Sequence, residues 1–368
     1  MTEQLLLYGS RLDARRLTKT LEHLLNNNLR TIARGEAATP ICIWGTHGLG
    51  KTMLVEDLAR KNGWAFCYCA PAQFEEMGDL HGLPMIRDDR TTVFAPPDWV
   101  PSAEGPGILL LDDINRADDR ILRGLMQLLQ QGRMFSWSLP KNWMIIATAN
   151  PEGGDYSVTP MDDAMVTRFL HLSLLFDARS WAAWAVEAGV DPRGIAFVLC
   201  YPELVNNRRT TPRTLTQFFG QIRDIPDLLA ERELVFVLGN SALEETTVAA
   251  FMGFISDNFP LLLSPEDLLD AEVFPADRVA KLATAGHAGT RRVDRIGAVC
   301  TRLFLHLSAA SYRPGPRHPE NLVRFLLHPN IPHDLRLATH RDLLREGAPG
   351  VAEMLRDRRL AQTILGQL

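Results

Sequence analysis

The sequence lacks several things, and each absence closes a class of protein. No apolar run approaches the roughly 20 residues that a bilayer-spanning helix needs, so no membrane role is expected. The five cysteines, Cys42, Cys67, Cys69, Cys200 and Cys300, form no CxxC pair and no zinc-ligand spacing. Three lie in apolar, strand-like runs, where a buried, reduced thiol is the ordinary state. An excess of positive charge is also missing. Lys and Arg number 39 against 44 Asp and Glu, for a net charge of −5 and a pI near 6.1. That balance disfavours nucleic acid as a partner, although a local basic patch would escape it. No secretory leader is visible: Met1-Thr2-Glu3-Gln4 opens acidic, and Leu5-Leu6-Leu7 is too short for an apolar leader core. Repeats and low-complexity tracts are absent. A soluble, cytoplasmic protein is expected, and 368 residues at 46% hydrophobic suffice for two or three domains with their own cores.

What is present is organised around Gly45-Thr46-His47-Gly48-Leu49-Gly50-Lys51-Thr52. It follows the apolar run Ile41–Trp44 and opens an amphipathic stretch from Met53 to Lys61 that stops at Gly63. Strand, glycine turn and helix are the context of a phosphate-binding P-loop. Glycines let the backbone fold tightly with its N–H groups inward, and the helix start adds unpaired amides and the positive end of its dipole. Lys51 would reach the β- and γ-phosphates of a nucleotide, and the Thr52 hydroxyl would help hold Mg²⁺.

The leucines between residues 11 and 34 keep a helical rhythm, broken by Gly35–Pro40 before the first strand. Trp64–Cys69, Gly107–Leu111, Trp143–Thr148 and Phe169–Leu174 read as further strands, with a helix from Ala117 to Gln131 and a short hairpin over Gly132–Pro140. Residues 71–101 are loop-rich, and a loop of that length tends to be functional. Strands alternating with helices argue a parallel α/β sheet. Beyond Phe176 only helical patterns remain, which places a domain boundary at 176–178.

Asp112-Asp113 ends the apolar run Ile108–Leu111. In a P-loop protein the first acid at such a strand tip holds Mg²⁺ through its water, and the second polarises the attacking water as a general base. Asn150 ends the next strand in Ala147-Thr148-Ala149-Asn150-Pro151, where an amide could orient that water and sense the γ-phosphate. A turn-forming Asn before Pro is the plainer reading of it.

The order Gly45…Lys51-Thr52, Asp112-Asp113-Ile114-Asn115-Arg116-Ala117, Asn150-Pro151, Met161–Phe169 and Thr211-Pro212-Arg213 resembles an AAA+ ATPase, and within it the MoxR family. The likeness spans roughly residues 35 to 260. It implies an α/β P-loop core with a parallel five-stranded sheet, the P-loop strand flanked by the fourth and fifth strands, then an all-α lid and here a helical C-terminal extension. The expected division is 1–34, an N-terminal helical segment; 35–176, the nucleotide-binding core; 177–260, the lid; and 261–368, the extension. The resemblance also implies ATP and Mg²⁺ bound between subunits of a ring, usually a hexamer, and a protein client or a partner with a von Willebrand factor A domain.

By the same resemblance Lys51 and Thr52 are Walker A ligands and Asp112 the Walker B acid. Asn150 matches sensor 1, Arg168 the arginine finger offered to the neighbour's ATP, and Arg213 sensor 2. Arg168 precedes an apolar strand, and Arg213 follows a capping Thr211 and an N1 Pro212, which suits a first turn aimed at phosphate. Asp113 stands where the family has Glu. Being one methylene shorter, it sets the base about an ångström back, so slow hydrolysis is expected.

Tyr8, Trp44 or residues near Arg34 are open alternatives for touching adenine. The Gly78–Pro84 loop and the Phe135–Trp137 hairpin read equally as substrate-facing insertions or as surface loops. His318, His328 and His333 lack metal-ligand spacing. Apolar runs in the tail, as far as Leu360–Leu368, need burial against the lid, a neighbouring copy or another protein. Besides an ATP-driven remodeller, two other readings stay open: a nucleotide-gated assembly switch with slow hydrolysis, and a motor acting on DNA.

Overall fold

The structure, a computed structural model, describes residues 6–153, 157–205, 208–284 and 292–365. Of the opening residues read for a leader, the first five lie outside them, as do the last three of the terminal apolar run. Contacts divide the chain into two compact units, Met1–Asp177 and Ala178–Leu368.

The first unit begins with β1 (Ser10–Leu12), and the Asp13 side chain then caps α1 (Ala14–Ala33) by accepting from the Arg16 N–H at 2.9 Å. Next come β2 (Ile41–Trp44), α2 (Lys51–Asn62), β3 (Ala65–Cys69), α3 (Met77–His81), β4 (Leu83–Ile86), β5 (Thr92–Ala95), β6 (Gly107–Leu111) and α4 (Asp119–Gln131). The unit closes with β7 (Arg133–Met134), β8 (Trp137–Ser138), β9 (Trp143–Ala149), α5 (Asp163–Val166) and β10 (Leu170–Leu174).

Six of these strands form one parallel sheet in the order β1-β10-β2-β9-β6-β3. The P-loop strand β2 lies between β9 and β10, the expected neighbours. A sixth strand, β1, corrects the expected five. It pairs Ser10–Leu12 with Leu172–Leu174 in a stretch read as part of the N-terminal helical segment. Three residues are too few to show a period of two, so its pairing alone identifies it. Gly9 makes the approach possible: at φ +79° it lies so close to β10 that a Cβ would meet the His171 carbonyl oxygen at 1.9 Å.

Alternate residues of each central strand face opposite layers. Ile41, Ile43, Ile108, Leu110 and Ile146 pack under Leu17, Leu21 and Leu25 of α1 and Val55 and Leu58 of α2. Cys42, Trp44, Leu109, Leu111 and Ile145 meet Ile121, Leu125, Leu128 and Leu129 of α4 on the other face. Burial on both sides is why these strands read as uninterrupted apolar runs. All five cysteines are free, and burial pushes the Cys69 thiol up to about 12. The expected hairpin over Gly132–Pro140 is β7–β8. The loop-rich stretch holds a second, β4–β5, which Pro84 and the Asp88-Asp89-Arg90 turn conceal from a pattern search.

The second unit is helical: α6 (Ala178–Glu187), α7 (Pro192–Cys200), α8 (Pro212–Ile222), α9 (Arg232–Ala242), α10 (Glu245–Gly253), α11 (Pro265–Leu269), α12 (Ala276–Thr284), α13 (Val293–Ser308), α14 (His318–Leu327), α15 (His333–Glu346), α16 (Val351–Met354) and α17 (Arg358–Leu365). Helix α7 packs on α13, and α13 on α15, so helices on both sides of residue 260 share one core. Among the described residues most of the tail's apolar side chains, such as Leu303, Phe304, Leu322 and Phe325, are therefore buried within the unit, while Val273, Val293 and Leu344 stay exposed. One stretch, Glu245–Leu269, is by length and composition apolar enough to cross a membrane, where the sequence reading found none. Half of its most apolar window is buried inside the unit, and a π-turn at Phe254–Asn258 and a 3₁₀ turn at Phe259–Leu261 interrupt it. Those are features of a core helix.

Candidate active site

Strand β2 ends at Trp44, and the chain turns through Gly48 at φ 74° and Gly50 at φ 85° before α2 starts at Lys51. The left-handed region at these two positions favours glycine. No side chain caps α2, and a helix start of this kind suits the oxygens of an anion. The loop closes round the Lys51 ammonium, which is only 6% exposed. Its Nζ donates to the Gly45 carbonyl at 2.7 Å, the Thr46 carbonyl at 3.2 Å and Asn150 Oδ1 at 3.3 Å. Gly45 lies tight against β10, where a Cβ would meet the Leu174 carbonyl oxygen at 2.9 Å. His47 stands exposed in the loop, and Leu49 packs beneath it on the α1–α2 layer.

The acid pair follows β6. Asp112 Oδ1 accepts from the Thr52 and Thr148 hydroxyls, each at 2.7 Å, and its Oδ2 accepts from the Tyr68 phenol at 3.2 Å. Burial and then the Asp112 charge hold the Tyr68 phenol above its ordinary pKa, so it stays a donor at neutral pH. Asp113 takes a left-handed backbone, φ 48°, rare for a residue with a side chain and characteristic of functional sites. Its N–H donates to Thr148 Oγ1 at 2.8 Å. Its Oδ1 accepts from Asn150 Nδ2 at 2.9 Å, and its Oδ2 faces Arg116 Nε at 3.2 Å. Asn150 is clamped in turn. Asn115, fully buried, donates from Nδ2 to the Asn150 carbonyl at 2.8 Å and accepts the Asn150 N–H at Oδ1 at 3.0 Å.

The structure thus brings Lys51, Thr52, Asp112, Asp113 and Asn150 into one hydrogen-bonded chain at the carboxyl ends of β2, β6 and β9. Thr52 and Asp112 offer hard oxygen donors, the kind Mg²⁺ takes singly while phosphate and water complete its shell. Among the described residues no group of three His, Cys, Asp or Glu could hold a metal ion. A divalent cation here would therefore lean on a nucleotide's own oxygens.

Arg168 lies in the turn between α5 and β10. Its guanidinium bonds within its own chain, to the Ala164 carbonyl and, at 3.4 Å, to Gln130 Oε1 on α4, while its Nε is buried without a partner. Arg213 belongs to the helical unit. It is exposed in the first turn of α8, where Thr211 and Thr214 form a reciprocal cap at 3.2 and 2.9 Å.

Of the residues read for adenine, Trp44 is fully buried and cannot touch a ligand directly. Tyr8 packs on it at a centroid distance of 4.8 Å, and Arg34 is held at the surface by Glu36. Sequence reading missed Tyr68, Thr148 and Asn115. Asn115 lies two residues after Asp113 and Thr148 two residues before Asn150, and those positions were the available signal. Tyr68 carried none, because only the pairing of β3 with β6 puts it beside Asp112.

Residues 40–169 match the family model of the AAA domain, dynein-related subfamily. Among solved structures, the chain is similar to a mutant of RuvB from Thermotoga maritima, at 15% identity over 82% of this chain and 90% of that one, with a TM-score of 0.41. NtrX from Brucella abortus in complex with ADP is similar at 15% identity, 97% and 70% coverage and a TM-score of 0.39. A third, a protein from Cytophaga hutchinsonii, is similar at 16% identity, 94% and 89% coverage and a TM-score of 0.34.

Proposed function

With an AAA+ P-loop core at residues 40–169 as the premise, we propose that this chain binds ATP with Mg²⁺ at the interfaces of a ring of its own copies, six by the MoxR resemblance. Hydrolysis there drives the remodelling or activation of a protein client in the cytoplasm, with a von Willebrand factor A domain protein as partner. One observation carries the reading. The ammonium of Lys51, the hydroxyl of Thr52, the acids Asp112 and Asp113 and the amide of Asn150 converge through bonds of 2.7–3.3 Å.

The backbone from Gly45 through Thr46, His47, Gly48, Leu49 and Gly50 cradles the phosphates, and Lys51 neutralises their outer charge. Thr52 and Asp112 would hold Mg²⁺, which would offset charge on the phosphate oxygens. Asp113 takes the proton of the attacking water while Asn150 fixes that water's direction. Arg168 exchanges its bonds to Ala164 and Gln130 for the phosphate of a neighbouring copy, and Arg213 acts on phosphate from the helical unit.

The test is turnover measured together with assembly. ATP hydrolysis by the assembled protein, abolished in Lys51→Ala, and a larger particle in ATP than in ADP support the proposal. A monomer under every nucleotide condition would sink it. A second reading has its own observation: both Asp113 oxygens are already engaged, by Asn150 and Arg116. A base so held favours a nucleotide-gated assembly switch with slow hydrolysis. Assembly that follows ATP binding while turnover matches that of Asp113→Asn would establish the switch over the motor.

A further inference from the structure

A hydrogen-bonded relay joins the P-loop strand to the turn that bears Arg168. Trp44, the last residue of β2 and the neighbour of Gly45, donates its indole N–H to His171 Nδ1 at 2.8 Å. An indole nitrogen can only donate, so Nδ1 is the acceptor and the ring's proton is on Nε2. Nε2 lies 2.7 Å from the carbonyl oxygen of Val166, to which it therefore donates. Val166 ends α5, and its carbonyl also accepts the Phe169 N–H at 3.2 Å, closing the turn in which Arg168 sits. The parallel register puts His171 opposite Cys42, so its side chain leaves the sheet on the same face as that of Trp44. Tyr8 packs against both rings, at centroid distances of 4.8 Å from Trp44 and 5.4 Å from His171. Gly9 brings Tyr8 there, through the close approach that only glycine permits.

We propose that His171 is a positioning residue for Arg168: through the Trp44–His171–Val166 relay, the strand that presents the P-loop also sets the place of the arginine offered to a neighbouring copy. This rests on the reading of Arg168 as a finger acting between copies. The chain's own geometry explains why a link is needed. Helix α5 has only four residues, too few to hold its place by internal hydrogen bonds. Arg168 bonds back to Ala164 of that same helix and so moves with it. Met165 packs into the same core as Trp44, and the imidazole adds the directional bond that ties the α5 carbonyl end to the central sheet.

Mixed assemblies test the proposal. Subunits with Lys51→Ala supply a finger without a working loop, and subunits with Arg168→Ala supply the loop without a finger. Turnover in the mixture therefore reports fingers meeting loops across copies. His171→Phe, which keeps a ring but loses both hydrogen bonds, is added to one class at a time. In the finger-supplying class it is expected to cost about ten-fold, because catalysis responds to displacements of about an ångström. In the loop-supplying class the cost is expected to be several-fold smaller. His171→Gln, which retains an acceptor and a donor, restores most of the loss.

The indole N–H spectrum of the seven tryptophans gives a second readout. The Trp44 resonance, assigned with Trp44→Phe, shifts in His171→Phe and returns towards its original place in His171→Gln. Should His171→Phe fail to fold, Trp44→Phe is placed in the same two classes and carries the same asymmetry at about three-fold. Equal losses in both classes, or none, overturn the positioning role. An inactive parent mixture of Lys51→Ala and Arg168→Ala removes the finger between copies, and the proposal with it.

Discussion

Both units bury polar side chains, but they use them differently. In the α/β unit most of the buried and half-buried polar groups converge, Asn28 and Ser173 apart. Lys51, Thr52, Tyr68, Asp112, Asp113, Asn115, Thr148 and Asn150 come from four chain segments and meet beside one glycine loop. In the helical unit they are scattered: some pair side chain to side chain, as Thr210 does with Thr247 and Asp342 with Arg179, and others finish the end of a helix. Arg193 is held by Asp191 and donates to the carbonyls of Ile222, Arg223 and Ile225 just past α8. Arg336 donates to Leu326, His328 and Ile331 at the close of α14. Asn321 does the same for Leu269 and Ala271 after α11. The last carbonyls of a helix have no partner within it, and a buried one must find another. A buried arginine is thus no sign of chemistry by itself. Convergence on a shared point distinguishes a site from a cap.

Substitutions that separate turnover from stability would break or sharpen this contrast. The largest effect is expected at Lys51→Ala, where turnover should fall about 100- to 1,000-fold, the usual cost of losing a charge-stabilising donor. Its far-UV circular dichroism should stay that of the parent. A variant that keeps even a tenth of parental turnover would remove Lys51 from the chemistry.

Next is Arg336→Ala, which orphans three carbonyls and opens a gap in the helical unit. Urea unfolding should report a loss of about 3 kcal/mol, while turnover per folded molecule stays near parental. A large drop in turnover without loss of stability would give Arg336 itself a part in the chemistry and break the contrast.

Thr148→Val is smaller and mixed. It removes the hydroxyl shared by Asp112 and Asp113, so turnover should drop about ten-fold, with a stability cost of about 1 kcal/mol. Lengthening the base is milder still. Asp113→Glu should raise turnover by a few-fold, about what a shift of one methylene allows. No gain would mean that the grip of Asn150 and Arg116 limits the base, not its reach.

The smallest effect is expected at Glu320→Gln. Hydrogen bonds from Arg359 and then Arg324 hold the Glu320 carboxyl below its usual range. A depressed carboxylate stabilises the fold above the unfolded pKa and loses that contribution as pH falls through the folded one. Exposed pairs contribute only about 0.5 kcal/mol. The variant should therefore differ slightly from the parent at pH 7 and converge with it in thermal melts as pH falls below the ordinary glutamate range.

How much of this was legible beforehand depends on sequence distance. The P-loop, the acid pair and Asn150 are local patterns, each read from a run of a few residues beside a strand. Strands β2, β6 and β9 announced themselves because burial on both faces demands unbroken apolar runs. Strand β1 and the hairpin β4–β5 did not, since three or four residues interrupted by proline or glycine show no period. His171 read only as part of an apolar strand. Its partners Trp44 and Val166 lie on either side of the sheet register, and neither a strand pattern nor a motif encodes that meeting.

The amino-acid order by itself determined which chemistry is possible: glycines where the backbone must turn left-handed, a lysine and a threonine at an uncapped helix start, and acids at a strand tip. Only the tertiary structure decided which groups act together. It put Tyr68 and Thr148 on Asp112, set Asn115 behind Asn150, added β1 beside β10 and joined Trp44 to Val166 through an imidazole. The reason is physical. Propensity and turn chemistry act over a few neighbouring residues, whereas hydrogen-bond partners are chosen by whichever strands lie side by side.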